Sequence, residues 1–359
     1  MLCSRAGIQN PARPSGETFN AHLAPLCEIF VVGKIAARKF EPIALRDHAV
    51  SVEFQFHRSD LARVTRQECD FGRWEMASRG PHPQLRDYIV GYVGLRSTMR
   101  LTRERHLPSG EAALVVNLGT PHDVIGRGAQ TATLKFRSLA AMGVHDRPFV
   151  TRSAGAKHLL VVRLTPPGAR LLFDVAMDQL FNRWVDLDEI DGVLARHIEG
   201  RAHEPRGWID LFNFMDSVMA ERLAAARISA PGVLWAWREL RRSGGLTSID
   251  SLADHLDWSH KRLLGGFREH VGVLPKATAE IVRFNRVLRL LRIDYRTNWA
   301  SVAQDCGYYD QAHMVREFKS FAGGTMKELK SLVAGFTLLD RAPRSGWGNF
   351  LQSGDSPGM

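Results

Sequence analysis

The sequence predicts an α+β protein: a small antiparallel β-barrel or sandwich, then an all-α domain with two helix–turn–helix units joined by a long helix. Three observations carry this reading. Short strand-like runs separated by turn residues crowd residues 89–164. After Pro166-Pro167 the apolar period lengthens from that of strands to that of helices. Within 249–323 one apolar pattern then occurs twice, about fifty residues apart.

Taken in order, the 359 residues suffice for two domains. The first twenty are rich in Pro, Gly, Ser and Asn, and the apolar stretches at 26–36 and 49–56 complete no fold, so 1–69 reads as a poorly ordered extension. The first domain, 70–226, begins near Trp74. A short helix, Pro83 to Tyr88, leads into a strand, Ile89–Leu95. Further strands are expected at 105–107, 112–118, 131–140, 147–152 and 158–164, broken by Pro108-Ser109-Gly110, Gly119-Thr120-Pro121 and Gly126–Gly128. Helices follow at 167–174, 187–198 and 207–226. The last carries an apolar stripe of Ile209, Phe212, Met215, Val218, Met219 and Leu223, suited to pack on the barrel or to pair with a second chain. Residues 227–245, with Pro231 and Gly244-Gly245, read as a linker containing a short helix at 232–242. The helix–turn–helix domain spans 246–335, and the Gly-, Ser- and Pro-rich residues 336–359 read as a flexible tail.

In the first repeat Ile249, Leu252, Ala253 and Leu256 stand at i, i+3, i+4 and i+7; in the second, Trp299, Val302, Ala303 and Cys306 do the same. That spacing lays each set along one helical stripe. A turn follows, Asp257-Trp258 or Gly307-Tyr308-Tyr309. Ser259 or Asp310 then caps a second helix, which Gly272 or Gly323 ends. Thr247 is placed to cap the first helix of the pair, with Asp250 at N3. Between the repeats, Pro275 opens a helix over 275–294, apolar at Ile281, Phe284, Leu288 and Leu291 and studded with arginines. Two short helices joined by a tight turn bury their stripe only at a steep angle, which leaves the outer face of the second helix free for a DNA major groove.

Two such units joined by one long helix resemble the AraC/XylS family of bacterial transcription regulators. The segments that carry the resemblance are LADHLDWSHKRLLGGFREHVGVLPK, 252–276, followed by Arg283-Phe284, and VAQDCGYYDQAHMVREFKSFAGGT, 302–325. Upstream, RERHLPSGEAALVVNLG at 103–119 and VVRLTPPGARLLF at 161–173 are similar to one subgroup. The resemblance implies a cupin-like effector or dimerisation domain, duplex DNA and RNA polymerase as partners, a small-molecule effector, a possible homodimer and a cytoplasmic protein. It places Lys261, Leu264 and Gly265 on the DNA face of the first unit, and Gln311, Ala312, Val315 and Arg316 on that of the second. Ser259 and Asp310 act as caps that place the helices; Arg283 and Arg286 are candidates for phosphate contact or positioning. The sequence departs from the family at Gly265, where a long polar side chain is usual, and at Met326, where proline is usual.

Residue chemistry sharpens these roles. Arg316 can donate two bonds to guanine and Gln311 can pair with adenine, whereas Leu264 and Gly265 offer a base no hydrogen bond. A salt bridge within the domain is the competing role for Arg316. Net charge is +10 and residues 236–335 hold 16 Lys+Arg against 11 Asp+Glu, so any basic face is local. Cys3, Cys27, Cys69 and Cys306 are widely spaced without a CxxC pair, which points away from a disulfide framework, and Cys306 sits on a core stripe. No run of about twenty apolar residues predicts a membrane span. His106, His122, His145 and His158 form no HxH or HxxxH pattern, and no Walker or Rossmann fingerprint occurs, so no metal, cofactor or catalytic residue is expected. Two other classes stay open: a cupin-type metal enzyme fused to a DNA-binding module, and an interaction adaptor that no longer binds DNA.

Overall fold

The computed structural model describes residues 62–69, 72–98, 102–125, 133–136, 138–153, 155–202, 207–225, 230–293, 298–325 and 350–352, all within one compact unit, Val50–Met359. Twelve strands lie among them: β1 (Arg63–Cys69), β2 (Gly72–Arg79), β3 (Ile89–Ser97), β4 (Thr102–His106), β5 (Ala112–Asn117), β6 (His122–Ile125), β7 (Thr133–Phe136), β8 (Leu139–Met142), β9 (Phe149–Ser153), β10 (Lys157–Leu164), β11 (Trp184–Asp186) and β12 (Phe350–Gln352). They form two antiparallel sheets. One has the order β1-β2-β3-β10-β5-β8-β11, the other β12-β4-β9-β6-β7. The first domain is thus a two-sheet sandwich, not a closed barrel.

Alternation along β5 explains the layering. Ala113 and Val115 point into the core between the sheets with Val124, Ala140 and Phe149. Ala112, Leu114 and Val116 point the other way, into a larger core roofed by α1 (Pro166–Phe173), α2 (Leu187–Ala202) and α3 (Trp208–Ala225). A strand buried on both faces reads as a continuous apolar run, as AALVVN does. The α3 stripe spends itself on this sheet: Phe212, Met215, Val218 and Met219 are buried there, while Ile209 stays exposed. Buried Asp216 on α3 accepts from Arg79 and Tyr92, tying the helix to β2 and β3.

Several strand expectations need correction. Ordered structure begins before Trp74, because β1 pairs with β2 from Arg63↔Ser78 to Cys69↔Gly72. Its sequence, RVTRQEC, carries almost no apolar alternation; an edge hairpin is held by its ladder and by cross-strand pairs such as Arg66–Glu75, 2.6 Å. The single strand expected over 131–140 is two, β7 and β8, which lie in different sheets. β6 and β11 are additional.

The C-terminal half holds α4 (Pro231–Arg242), α5 (Ile249–Leu256), α6 (His260–His270), α7 (Pro275–Ile293), α8 (Trp299–Asp305) and α9 (Gln311–Ala322). The segment expected as a linker contains α4, whose Val233, Ala236, Trp237 and Leu240 lie in the helical core with Leu263, Phe267, Phe284 and Phe318. Leu107 and Val144 reach into that same core from sandwich loops. No helix among the described residues is long and apolar enough to cross a membrane. Residues 1–61, Met326 and the tail, apart from 350–352, lie outside the described residues.

Candidate nucleic-acid interface

The two helix–turn–helix units share the same hydrogen bond at the start of their turns, and the second turn is one residue longer before its cap. In the first, the N–H of Trp258 donates to the Ala253 carbonyl, 3.0 Å; in the second, the N–H of Tyr308 donates to the Ala303 carbonyl, 2.9 Å. Each turn needs one residue in the left-handed region: Asp257 at φ +52° and Gly307 at φ +77°. Asp tolerates that conformation. At Gly307 a Cβ would also meet the tip of the exposed Leu246 side chain, which would have to move aside, so glycine is favoured there chiefly by its positive φ. Ser259 accepts from the Arg262 N–H, 3.2 Å, and Asp310 from the His313 N–H, 2.6 Å, so both recognition helices, α6 and α9, are capped as the sequence predicts. The cap of α5 is one residue later than expected. Ser248 accepts from the Ser251 N–H, 3.0 Å, while the Thr247 hydroxyl bonds Glu239, 3.2 Å.

On α9, Met314, Phe318 and Phe321 are buried, and Gln311, Ala312, Val315 and Arg316 are exposed on the opposite side. Arg316 has no ion pair or hydrogen bond of its side chain among the described residues, so the competing structural role finds no partner there. The nearest carboxylate in sequence, Glu317, is already held by Arg283. Lys319, one helical turn past Arg316, is exposed on the same stripe and was missed in the sequence although the i+3 spacing announces it.

On α6, Leu263 and Phe267 are buried, Lys261 and Gly265 are exposed and Leu264 is half-buried. Arg268 completes this stripe at i+7 from Lys261 and is exposed. It gives the first unit the guanidinium that Leu264 and Gly265 do not supply. The two glycines of α6 differ. No atom lies within 4 Å of a Cβ built on Gly265, whereas one on Gly266 would stand 2.6 Å from Cγ2 of Val233 on α4. Gly266 is therefore the close-approach residue that lets α6 lie against α4, and the helix runs unbroken through both. Gly265→Ala is expected to stabilise the protein by roughly 0.5–1 kcal/mol through helix propensity. Gly266→Ala is expected to destabilise it by about 1 kcal/mol, because overpacking typically costs more than that gain. Urea unfolding of both variants decides the matter, and equal effects would refute the distinction.

Arg283, a candidate for phosphate contact or positioning, is engaged within the domain. Its guanidinium donates to Glu317 on α9, 3.1 Å, and to the Gly245 carbonyl, 3.3 Å, and lies 5.4 Å from the Tyr308 ring centroid. Its side chain is 17% exposed and that of Glu317 10%. Arg283 thus ties α9 to the 243–246 turn, with its guanidinium largely buried and committed to those partners. Burial and the neighbouring Glu317 carboxylate push the Tyr308 phenol well above its ordinary pKa. Arg286 is half-buried, with Nη1 beside Gly244. Cys306 is free and buried, and burial raises its thiol pKa.

His106 and His145 of the sandwich behave as core. His106 stacks on Phe149 at 4.5 Å and meets the Thr151 hydroxyl at 2.8 Å; Nδ1 of His145 donates to the Gly143 carbonyl, 2.8 Å. Burial pushes both pKa values down to about 4, so both rings are neutral at neutral pH. They border a cavity of about 70 Å³ with Glu111, whose carboxylate is engaged by the fork of Arg163 at 2.9 Å. Among the described residues no three His, Cys, Asp or Glu side chains converge as metal ligands.

Two family descriptions match the chain. Residues 78–186 match a domain of unknown function (DUF6597), and residues 252–331 match a helix-turn-helix domain. The C-terminal module is an AraC-type helix–turn–helix domain. The AraC-type units thus coincide with α5–α6 and α8–α9, and the helix-turn-helix match also takes in the residues after Thr325. No curated protein matches the chain. Among solved structures it is similar to ToxT from Vibrio cholerae, at 11% identity over 64% of this chain and 96% of that one, TM-score 0.38. The AraC-like transcriptional activator CuxR is 15% identical over 63% and 86%, TM-score 0.28. The xylose-binding transcription activator xylR is 24% identical over 31% and 29%, TM-score 0.26.

Proposed function

We propose that the protein is a ligand-responsive transcription regulator that reads duplex DNA with two recognition helices and performs no chemistry of its own. The observation that carries this reading is the pair of turns that share one hydrogen bond, each presenting a capped helix whose outer stripe is exposed and whose inner stripe is buried. α9 reads bases through Gln311 and Arg316, and α6 anchors through Lys261 and Arg268. The sandwich takes the effector and passes its state to the helical half through their common core. RNA polymerase and a second copy of the chain are the protein partners that fit such a regulator, and the cytoplasm, where the DNA lies, is its place of action.

The helices should enter successive major grooves on one face of the duplex, about 34 Å apart, one helical turn. Hydroxyl-radical footprinting of the full chain on duplexes selected from random sequence is the test. Two protected patches on one face, separated by one turn, are expected. A single patch, or none, would refute the two-groove mode.

A further inference from the structure

We propose that the cleft between the sandwich and α4 is a binding site for a small doubly charged anion, a phosphate ester or a dicarboxylate. The proposal names the ligand chemistry of the ligand-responsive reading above and rests on it. The cleft has a volume of about 510 Å³, within the usual range for small-molecule sites. One wall is the segment after β2 and the start of β3, carrying Arg86 and Asp87; the other is α4, carrying Trp237, Arg238 and Arg241. Only one of the three guanidiniums has a carboxylate there: Arg238 pairs with Asp87 at 2.7 Å. Arg86 and Arg241 have no ion pair among the described residues. Three cations against one carboxylate leave the cleft with two uncompensated positive charges.

Arg241 is the more telling of the two. Arg241 is exposed as a residue, and its guanidinium lies over the Trp237 ring, 4.7 Å from the centroid, while Trp237 is itself core. Burial lowers its pKa, the Glu111 carboxylate raises it, and Arg163 and Arg289 act to lower it further. The Glu111 carboxylate is already committed to Arg163. A guanidinium stacked on a core indole, lining one cleft with a second unpaired guanidinium, is matched by an acceptor with two oxygens and two charges. Such an anion would join the two walls. Because α4 packs on α6 at Val233 and Gly266, its occupancy would be felt at the first recognition helix.

Isothermal titration of the full chain at constant ionic strength tests the site, with inorganic phosphate and succinate as probes and acetate as the singly charged control. Saturable binding of phosphate or succinate, and not of acetate, is expected; which of them binds tells a phosphate ester from a dicarboxylate. Arg86→Gln and Arg241→Gln should each weaken binding at least about tenfold, the loss of one charge-assisted hydrogen bond. Asp87→Asn should tighten it by a few-fold, since it frees Arg238 and removes a repelling charge; a merely damaged fold would not bind better. Absence of saturable binding, or binding indifferent to both arginine variants, overturns the site. Duplex affinity measured on the same samples separates the two readings. Intact DNA binding without anion binding removes the site alone, and anion binding without DNA binding removes the regulator and leaves the site.

Discussion

Glu317→Ala is expected to destabilise the protein by about 3 kcal/mol, the low end of the cost of breaking a buried ion pair by removing one partner. The low end applies because the pair is not sealed: Arg283 keeps 17% of its side chain exposed, and His313, 3.7 Å from the carboxylate, stands at the open side. What remains after the substitution is a guanidinium over Tyr308 with only the Gly245 carbonyl to receive it. The loss falls on α9, because Glu317 ties that helix to Arg283 of α7, beside the packing of Phe284 on Phe318 and Phe321. Two measurements check this. Urea unfolding reads the stability, and the double variant Arg283→Met/Glu317→Leu should recover most of it, since an apolar pair of similar volume can replace an ion pair. A single variant that loses less than about 1 kcal/mol would show the pair to be a surface-type interaction, whose worth is of that order.

Arg316→Ala carries the second large effect, on recognition rather than on stability. Its side chain is exposed and has no partner among the described residues, so its removal costs the fold little. On the preferred duplex it should cost about 1–3 kcal/mol, the discrimination supplied by a good bidentate contact, and on scrambled DNA much less. Lys261→Ala should weaken both duplexes alike and flatten the slope of log K against log salt by about one unit, as a phosphate contact does. Titrations at several salt concentrations distinguish the two. If Arg316→Ala weakens specific and scrambled DNA equally while Lys261→Ala abolishes selectivity, the roles of the two helices are reversed.

Much of the candidate interface was legible because its signals are local. Caps at Ser259 and Asp310, the glycine at 307 and the stripes of α6 and α9 lie within a few residues of what they determine. The role of Arg283 was not legible, because Glu317 stands 34 residues away and only the folded chain brings them together. The β1–β2 hairpin was hidden for a different reason: an edge strand held by its ladder and by charge pairs shows no apolar period. Thr247 and Ser248 are both competent caps, and the choice between them was decided by Glu239, which takes the Thr247 hydroxyl. The two glycines of α6 look alike as text. Only the proximity of Val233 tells them apart.

Gly265 has an evolutionary consequence. With no neighbouring element's atom within 4 Å of its absent Cβ, a Cβ can be added there without displacing a neighbour. Helix propensity favours nearly every such replacement over glycine. A lineage carrying this chain can therefore try new residues in the centre of the first recognition helix one mutation at a time, without first acquiring a stabilising change elsewhere. On the proposed DNA-binding mode, operator preference at the first half-site would then be free to drift while the scaffold stays the same.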